Sequence, residues 1–335
     1  MKPATFSKHV SHFLGHYLAG QRNLSPNTIK AYRDVFVLLL RFCRDVQGIT
    51  VEKLALEQID ARLVGAFLNH LEHERHCAIR TLNQRLAVLH AFFRYLQVEE
   101  PALSLQSQRI LAIPLRRFTR HEVGYLSRDH LAALLAQPDP GRPDGRRDAV
   151  LLSVLYDTGA RVQELIDLTA GDVRLEAPAQ VRILGKGRKV RVVPLMPNTA
   201  RLMRHYIDEN NLALPENYDR PLFRNKQGNP LTRVGVNYIL QKYLRKLRET
   251  RPDLKQKVSP HTLRHTKAMH LVQGGVSLDI VRDFLGHVDI KTTELYARAN
   301  LEMKRAAIEK VSATPVPDIP SWKENKSLLQ WLQSL

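Results

Sequence analysis

With 335 residues, 44% of them hydrophobic and 25% charged, the chain is long enough for two globular domains and has the composition of an ordinary soluble protein. It has no apolar run long enough to span a membrane, and its first residues lack the pattern of a secretory signal, which favours a cytoplasmic protein over a membrane-embedded or exported one. Its 51 lysines and arginines outnumber its 33 acidic residues, for a formal net charge of +18. Because so basic a chain repels itself unless a polyanion neutralises it, nucleic acid is the expected partner and the nucleoid the expected location; a merely basic surface is the alternative.

Residues 1–100 predict a helical domain. Ser25 and Pro26, a capping hydroxyl followed by a proline suited to the first helical position, predict the start of a long helix. Apolar residues at helical spacing predict two more helices, over residues 60–74 and 81–97. Cations between the apolar positions could follow a DNA backbone, although a solvated face is the simpler explanation for each one taken singly. The candidates for DNA contact here are Lys30, Arg33 and Arg85.

Residues 101–125 predict an irregular, basic linker between two domains. Prolines at positions 101 and 114 disfavour a continuous helix through this stretch. Arg116 and Arg117 are further candidates for DNA contact. Two basic domains joined in this way could close as a clamp around duplex DNA; a solvated connection without that role is the alternative.

A second domain is expected over residues 126–311, mainly helical with a small antiparallel β-sheet. Its four best-marked helices are predicted over residues 127–135, 149–156, 194–211 and 234–249. Alternating apolar residues over 181–193 flank a glycine-bracketed turn, which predicts a β-hairpin. The last of the four helices has a strongly basic face that could lie on DNA or face solvent. The candidates for DNA contact on it are Lys242 and Arg245.

Three charged residues of this domain each have a functional and an ordinary interpretation. Arg161 and Glu164 stand three residues apart near a predicted helix start, so the carboxylate could orient the guanidinium. Such a pair taken alone is usually a weak surface ion pair. Lys186 lies in the hairpin turn between two glycines, which allow a partner to approach closely; a lysine in a turn is usually only solubilising.

Residues 259–296 contain the densest set of chemically active side chains. A serine-proline pair predicts a helix start, and His261 and Arg264 follow it three apart, on one helical face. His287 comes directly after a glycine that ends a second helix, and Tyr296 comes nine residues later on a third. Two imidazoles, a guanidinium fork that matches phosphate geometry and one phenol are suited to holding a phosphate and attacking it.

The chain continues beyond this stretch as a helix over residues 301–311 and a tail over 312–335. Prolines make the first part of the tail a tether, and apolar residues at helical spacing predict a short helix over 326–335. Because a short helix needs a host surface, docking onto a neighbouring subunit is expected. Folding back onto its own domain is the alternative.

Several motifs, in order along the chain, resemble those of the tyrosine recombinases, the phage-integrase family. TGARVQEL resembles the family's first arginine box, LGKGRKVRVVPL its lysine-bearing hairpin, HTLRH its HxxR box and LGHVDIKTTELY its tyrosine box. Nearer the N-terminus, LSPNTIKAYRDVF resembles the family's core-binding domain. The resemblance covers roughly residues 5–300 and is greatest to Xer-like and mobile-element integrases. The matching catalytic residues are Arg161, Lys186, His261, Arg264, His287 and Tyr296, with Glu164 in a supporting position.

The resemblance implies a helical, SAM-like core-binding domain and an α+β catalytic domain that together clamp duplex DNA. It also implies a site-specific recombinase, of the integrase or transposase kind, that cuts and rejoins DNA through a 3′-phosphotyrosine link to Tyr296. Lys186 would be the general acid. A homotetramer on paired recombination sites, either alone or with a related recombinase, would carry out the reaction.

No cofactor or metal is expected. The sequence has neither a phosphate-binding glycine motif nor a metal-ligand cluster, and His261 and His265, four residues apart, have no carboxylate or cysteine cluster beside them. Two other functions are open: a type IB topoisomerase, which relaxes supercoils as a monomer, and a non-enzymatic DNA-binding regulator. The complete set of six catalytic residues argues against the regulator.

Overall fold

The computed structural model describes residues 6–118, 124–185, 187 and 189–286. The chain divides into two compact units, Met1–His121 and Glu122–Leu335. The described part is mostly helical and contains one three-stranded antiparallel sheet, which confirms the predicted fold class. None of the described helices combines the length and the apolar character needed to cross a membrane.

The first unit consists of helices in the part described. They are α1 (Phe6–His12, continued by the wider π-type turns of Phe13–Gln21), α2 (Pro26–Asp45), α3 (Ala61–His73), α4 (Ile79–Glu99) and α5 (Ser104–Leu111). The predicted start of α2 is confirmed, since the Ser25 hydroxyl accepts a hydrogen bond from the backbone N–H of Thr28. Asp60 caps α3 in the same way. A cluster of edge-to-face aromatic rings that includes Phe13, Phe36 and Phe92 fills the centre of the unit.

The prediction that the chain is irregular over residues 101–125 was wrong for its first part. Helix α5 lies there, and Ile110 on this helix is fully buried in the core of the first unit. Gln106 on the same helix donates hydrogen bonds to the carbonyls of Leu56 and Ile59. The two prolines, at positions 101 and 114, lie on either side of this helix. Burial of its apolar side stabilises the helix although the composition of the segment is basic.

The second unit combines helices with a small sheet. Its elements are α6 (Arg128–Leu135), α7 (Pro143–Thr158), α8 (Val162–Ile166), β1 (Val173–Arg174), β2 (Gln180–Leu184), β3 (Val190–Pro194), α9 (Pro197–Glu209), α10 (Arg233–Thr250), α11 (Pro260–Gln273) and α12 (Leu278–Leu285). Strands β2 and β3 form the predicted hairpin, with Val181 opposite Val193, and both of these residues are buried. The very short β1 pairs with the other side of β2 and was not predicted.

Helix α7 begins earlier than the sequence pattern predicted. We expected the helix to begin at residue 149, but it begins at Pro143, whose fixed φ angle suits a first helical position. The first turn lies so close to the preceding loop that a Cβ at Gly145 would be 1.9 Å from the carbonyl oxygen of Asp139. Glycine therefore permits an approach that any other residue would block.

Several sequence predictions fall outside the described residues. They concern Lys186, His287, Tyr296, the helix over 301–311 and the tail over 312–335.

Candidate active site

Gly159 forms the turn that presents Arg161. Helix α7 ends at this glycine, which has a φ of 56°, in the left-handed region that glycine tolerates best. A Cβ at this position would also lie 2.7 Å from the Leu285 side chain, so space as well as backbone conformation requires glycine. Arg161 follows as the N-cap residue of α8. The motif TGAR thus joins a buried helix to a short one by a tight turn.

Arg264 is the largest fully buried side chain in the described part of the molecule, with 1% of its surface exposed. Its Nη1 donates a hydrogen bond of 2.6 Å to the Gly159 carbonyl oxygen, and its Nη2 donates one of 2.7 Å to the Leu285 carbonyl oxygen. These bonds tie α11 to the end of α7 and to the end of α12. Because the planar guanidinium is held at two points, its orientation is fixed by the main chain.

Glu164 is a buried carboxylate surrounded by three arginines. Its Oε1 accepts a hydrogen bond of 2.6 Å from Arg161 Nη1, and its Oε2 accepts bonds from Arg191 Nη2 (2.7 Å) and from the backbone N–H of Arg161 (2.9 Å). Arg264 Nη1 lies 4.0 Å from Oε2. The prediction that Glu164 orients Arg161 is supported by this geometry, but the pair is not the weak surface ion pair that was the alternative: the Glu164 side chain is 6% exposed.

The pKa of Glu164 lies below its ordinary value. Burial raises the pKa of this carboxyl, but the hydrogen bonds from Arg191 and Arg161 and the charge of Arg191 outweigh burial and lower it. Glu164 is therefore ionised at neutral pH. Since one carboxylate cannot neutralise three guanidinium groups, the site keeps a positive charge, which suits a phosphate group.

Arg191 was missed by the sequence analysis. It lies on β3, opposite Ile183, on the same side of the sheet as Val193, and its side chain is only 11% exposed. The strand alternation could have indicated it, because a charged residue on the buried face of a hairpin requires a partner of opposite charge. The identity of that partner could not be read from the pattern, because Glu164 lies on another element.

His261 stands at the start of α11 on the side of the site where Arg161 and Arg264 lie. His261 is partly exposed to solvent, but desolvation by the surrounding protein, together with the positive charges of Arg264 and Arg161, lowers its pKa. The imidazole is thus held neutral at physiological pH, a state in which it can accept a proton. His261 also contacts His265 one turn later, with ring centroids 4.3 Å apart and the rings nearly perpendicular.

The His265 imidazole should make the protein less stable in acid. Burial, and then the neighbouring His261 and Arg264, lower the pKa of His265 to about 4. The unfolded chain, with a histidine pKa of ~6.5, therefore takes up a proton first as the pH falls, so folding stability is lost progressively between those two values. Between pH 7 and pH 4 we expect the wild-type protein to lose on the order of 2 kcal/mol of folding stability through His265, and His265→Gln to remove that loss. Urea denaturation over this pH range measures it. His73→Gln, at an exposed position, is the matched control, and identical pH profiles for wild type and His265→Gln would contradict the expectation.

The predicted DNA-contacting cations of the first unit differ in their exposure and in whether a partner within the unit already pairs with them. Lys30 and Arg117 are exposed, and Arg33 is exposed beside Asp34, at 2.7 Å. Arg85 is half-buried and donates to Gln84. Arg116 contacts Glu72 and Asn69, so its charge is already compensated within the unit. Lys30 and Arg117 are the better-placed candidates.

The two candidates on α10 also differ. Lys242 lies 3.6 Å from Asp148 and 3.9 Å from Asp144, and its ammonium group lies 4.7 Å from the centre of the Tyr243 ring. Arg245 is exposed. The structure thus gives Lys242 carboxylate partners inside the unit and leaves Arg245 as the residue of this pair better placed to reach a phosphate.

The structure brings together three of the six predicted catalytic residues, Arg161, His261 and Arg264, with Glu164 between the arginines. Lys186, His287 and Tyr296 lie outside the described residues. Within the described residues, no group of three or more His, Cys, Asp or Glu side chains is arranged to hold a metal ion. The described part of the site is a fixed cationic surface with a neutral imidazole beside it, an arrangement that can bind a phosphate and accept a proton.

Comparisons with known proteins agree with this geometry. The model of the phage integrase family matches residues 124–303, and the model of the phage integrase N-terminal SAM-like domain matches residues 12–100. The chain is 39% identical to the integrase/recombinase y4rC of Sinorhizobium fredii, over 100% of this chain and 99% of that protein. It is 36% identical to the tyrosine recombinase XerC of Roseiflexus castenholzii, over 88% of this chain and 90% of that protein.

Two solved structures share the fold. The Tn1549 transposon integrase in complex with transposon right end DNA superimposes with a TM-score of 0.68 at 18% identity, over 91% of this chain and 99% of that one. XerH site-specific recombinase bound to its difH substrate superimposes with a TM-score of 0.66 at 22% identity, over 87% of this chain and 82% of that one.

Proposed function

The chain belongs to the phage integrase family, the tyrosine recombinases, and on that premise we propose that it cuts and rejoins duplex DNA through a covalent 3′-phosphotyrosine intermediate formed by Tyr296. Members of this family are site-specific DNA recombinases, so the chain is an enzyme of DNA strand breakage and rejoining. The observation that carries the mechanism is the meeting of Arg161 and Arg264, far apart in sequence, around the buried Glu164.

In the cleavage step, the phenolic oxygen of Tyr296 bonds to the scissile phosphorus, and the bond from phosphorus to the 5′-oxygen breaks. A phenol has a pKa of ~10, so its proton needs an acceptor and its developing negative charge needs a positive field. His261 is the acceptor in this proposal, because its lowered pKa keeps the imidazole neutral. Lys186 gives a proton to the departing 5′-oxygen, which leaves as a hydroxyl.

Negative charge grows on the phosphate as phosphorus becomes pentacoordinate. Arg161 and Arg264 stabilise that charge at the non-bridging oxygens, because the guanidinium fork matches them in geometry, and His287 hydrogen-bonds one of the same oxygens. These cations neutralise the growing negative charge, as a bound metal ion does in metal-dependent nucleases. The phosphotyrosine conserves the energy of the phosphodiester, so attack by a 5′-hydroxyl of another strand releases Tyr296 and rejoins the DNA without ATP.

The partner in this proposal is a double-stranded recombination site. The net charge of +18 and the exposed cations of both units support it. Four protomers act on two paired sites, with the tail over residues 312–335 docking between neighbouring subunits.

The test is covalent capture on DNA. Footprinting along the DNA around the protein's own coding sequence identifies the protected site, and a duplex with that site and a nick beside the scissile phosphate then traps the intermediate, since the cleaved fragment diffuses away. In EDTA and without nucleotide, we expect a denaturation-resistant protein–DNA adduct whose tryptic peptide contains Tyr296.

Two outcomes would contradict the proposal. Failure to form an adduct on a bound, nicked site would remove the covalent mechanism, and dependence on a divalent metal would remove the metal-free one. Relaxation of a supercoiled plasmid that lacks the site would favour a topoisomerase instead.

A further inference from the structure

Arg191 occupies an unusual position for a charged residue. Strand β3 alternates in exposure, and Arg191 lies on the inward side together with the fully buried Val193, whereas Val190 and Val192 are exposed. Its guanidinium Nη2 lies 2.7 Å from Glu164 Oε2, and its Nε is buried without a hydrogen-bond partner in the described structure. An apolar side chain would pack there without leaving a polar atom unsatisfied, so packing alone does not explain an arginine at this position.

The guanidinium also fills the space between two glycines. A Cβ at Gly185 would lie 3.3 Å from Arg191 Nη1, and a Cβ at Gly286 would lie 3.0 Å from the same atom. Gly185 is the first residue of the hairpin turn, which its N–H closes with a 2.8 Å bond to the Lys189 carbonyl oxygen. Gly286 ends α12 in the left-handed conformation, with φ at 64°. The Arg191 guanidinium therefore lies beside the residue that precedes Lys186 and beside the residue that precedes His287.

We propose that Arg191 is a positioning residue that fastens the base of the hairpin turn to Glu164, and thereby sets where Lys186 delivers its proton. The inference rests on the proposed function, because it gives Arg191 a task in the proton transfer to the 5′-oxygen. A two-stranded ribbon that is anchored at its base by a charged hydrogen bond has less freedom at its tip than one held by apolar packing alone.

The proposed role of Arg191 is distinct from orienting Arg161, because the bonds of Arg161 to Glu164 do not involve Arg191. Arg161 keeps two bonds to Glu164, from its Nη1 and from its backbone N–H, whether or not Arg191 is present. Loss of Arg191 therefore frees the hairpin while Arg161 stays anchored. Stabilisation of the phosphate charge should largely survive, and the proton transfer should suffer.

A comparison of two leaving groups tests this. Single-turnover cleavage is measured on the nicked site with the normal 5′-oxygen and on the same duplex with a bridging 5′-sulfur, which leaves as a thiolate and needs no proton. We expect Arg191→Lys and Arg191→Met to slow cleavage of the oxygen substrate about 10- to 100-fold and to cleave the sulfur substrate within about 3-fold of wild type. Lys186→Ala provides the pattern of a lost general acid for comparison.

The matched control is Arg182→Lys, the same change on the outward face of the same hairpin, where the side chain is 62% exposed and pairs with Asp172. It should leave both rates near wild type. Thermal unfolding of each variant shows whether it folds, and the conservative lysine variant keeps the test usable where Arg191→Met does not.

Equal slowing on both substrates, or no slowing on either, would overturn the role of Arg191 while the proposed function stands. Failure of the wild-type protein to form an adduct on either substrate would instead count against the proposed function itself.

Discussion

Tyr296→Phe should bind its DNA site with an affinity within about 2-fold of wild type and form no covalent adduct, a loss of at least about 10⁴-fold in the cleavage rate. The substitution removes one oxygen atom, and that atom is the one that bonds to phosphorus in the proposed step. Cationic groups such as Arg161 and Arg264 remain, so binding of the phosphate is retained. Gel-shift titration measures the affinity, and denaturing electrophoresis of the nicked duplex measures the adduct.

The control for Tyr296→Phe is the same change at Tyr218, which is half-exposed in the second unit and has no assigned role. Tyr218→Phe should form the adduct at the wild-type rate. Adduct formation by Tyr296→Phe at that rate would mean that another side chain is the nucleophile. Loss of DNA binding along with the adduct would mean that the substitution disturbs the fold, and a denaturation curve would separate that case.

Local signals predicted the helix starts well. Ser25, Ser127 and Ser259 each cap a helix through a hydroxyl that accepts a hydrogen bond from the backbone N–H three residues later, at the helix starts that the sequence pattern indicated. A cap and the turn that it begins lie within a few residues of each other, so neither depends on the rest of the fold. The same reasoning placed Gly286, the glycine directly before His287, at a helix end.

Features that depend on distant residues were missed. Helix α5 is stabilised by burial of Ile110 in a core built from other helices, and its own composition indicated a loop. Arg191 could be placed on the buried face of the hairpin by register alone, but its bond to Glu164 joins two elements whose proximity the sequence does not state. Likewise, the carboxylate partners of Lys242 changed a candidate DNA contact into a residue already compensated.

The motif pattern named residues that the structure brings together, but it did not give their arrangement. It identified Arg161 and Arg264 as a pair, but it did not indicate that Arg264 would be buried against two main-chain carbonyls while the Arg161 side chain stays 36% exposed. The two arginines are therefore not equivalent. Arg264 is a fixed part of the domain, whereas Arg161 is held through Glu164.

Glu164→Ala should be the most damaging single change in the described part of the site. It leaves Arg161, Arg191 and Arg264 without the carboxylate that lies among them, and removal of one partner from a buried ion pair costs about 3–5 kcal/mol of folding stability. Because Arg161 also loses its orientation, we expect cleavage to fall by about 10²- to 10³-fold under conditions where the variant is folded. Urea denaturation and single-turnover cleavage measure the two effects.

The matched control for Glu164→Ala is Glu209→Ala, which breaks the half-exposed ion pair of Glu209 with Arg146 and should cost no more than about 1 kcal/mol of folding stability.

The pH dependence of folding stability gives an independent check on Glu164. The folded-state pKa of Glu164 is lowered, so its contribution to folding stability is present above the unfolded-state pKa of ~4.5 and is lost as the pH falls through the folded-state value. Glu164→Gln should therefore make folding stability less dependent on pH in that acidic window.

The double variant Glu164→Ala with Arg191→Met should lose less folding stability than the sum of the two single losses, by about 1–3 kcal/mol, because the second change removes one of the cations that the first leaves unpaired. Strict additivity would mean that Glu164 and Arg191 do not act on each other, and the anchoring of the hairpin through this carboxylate would then have to be abandoned.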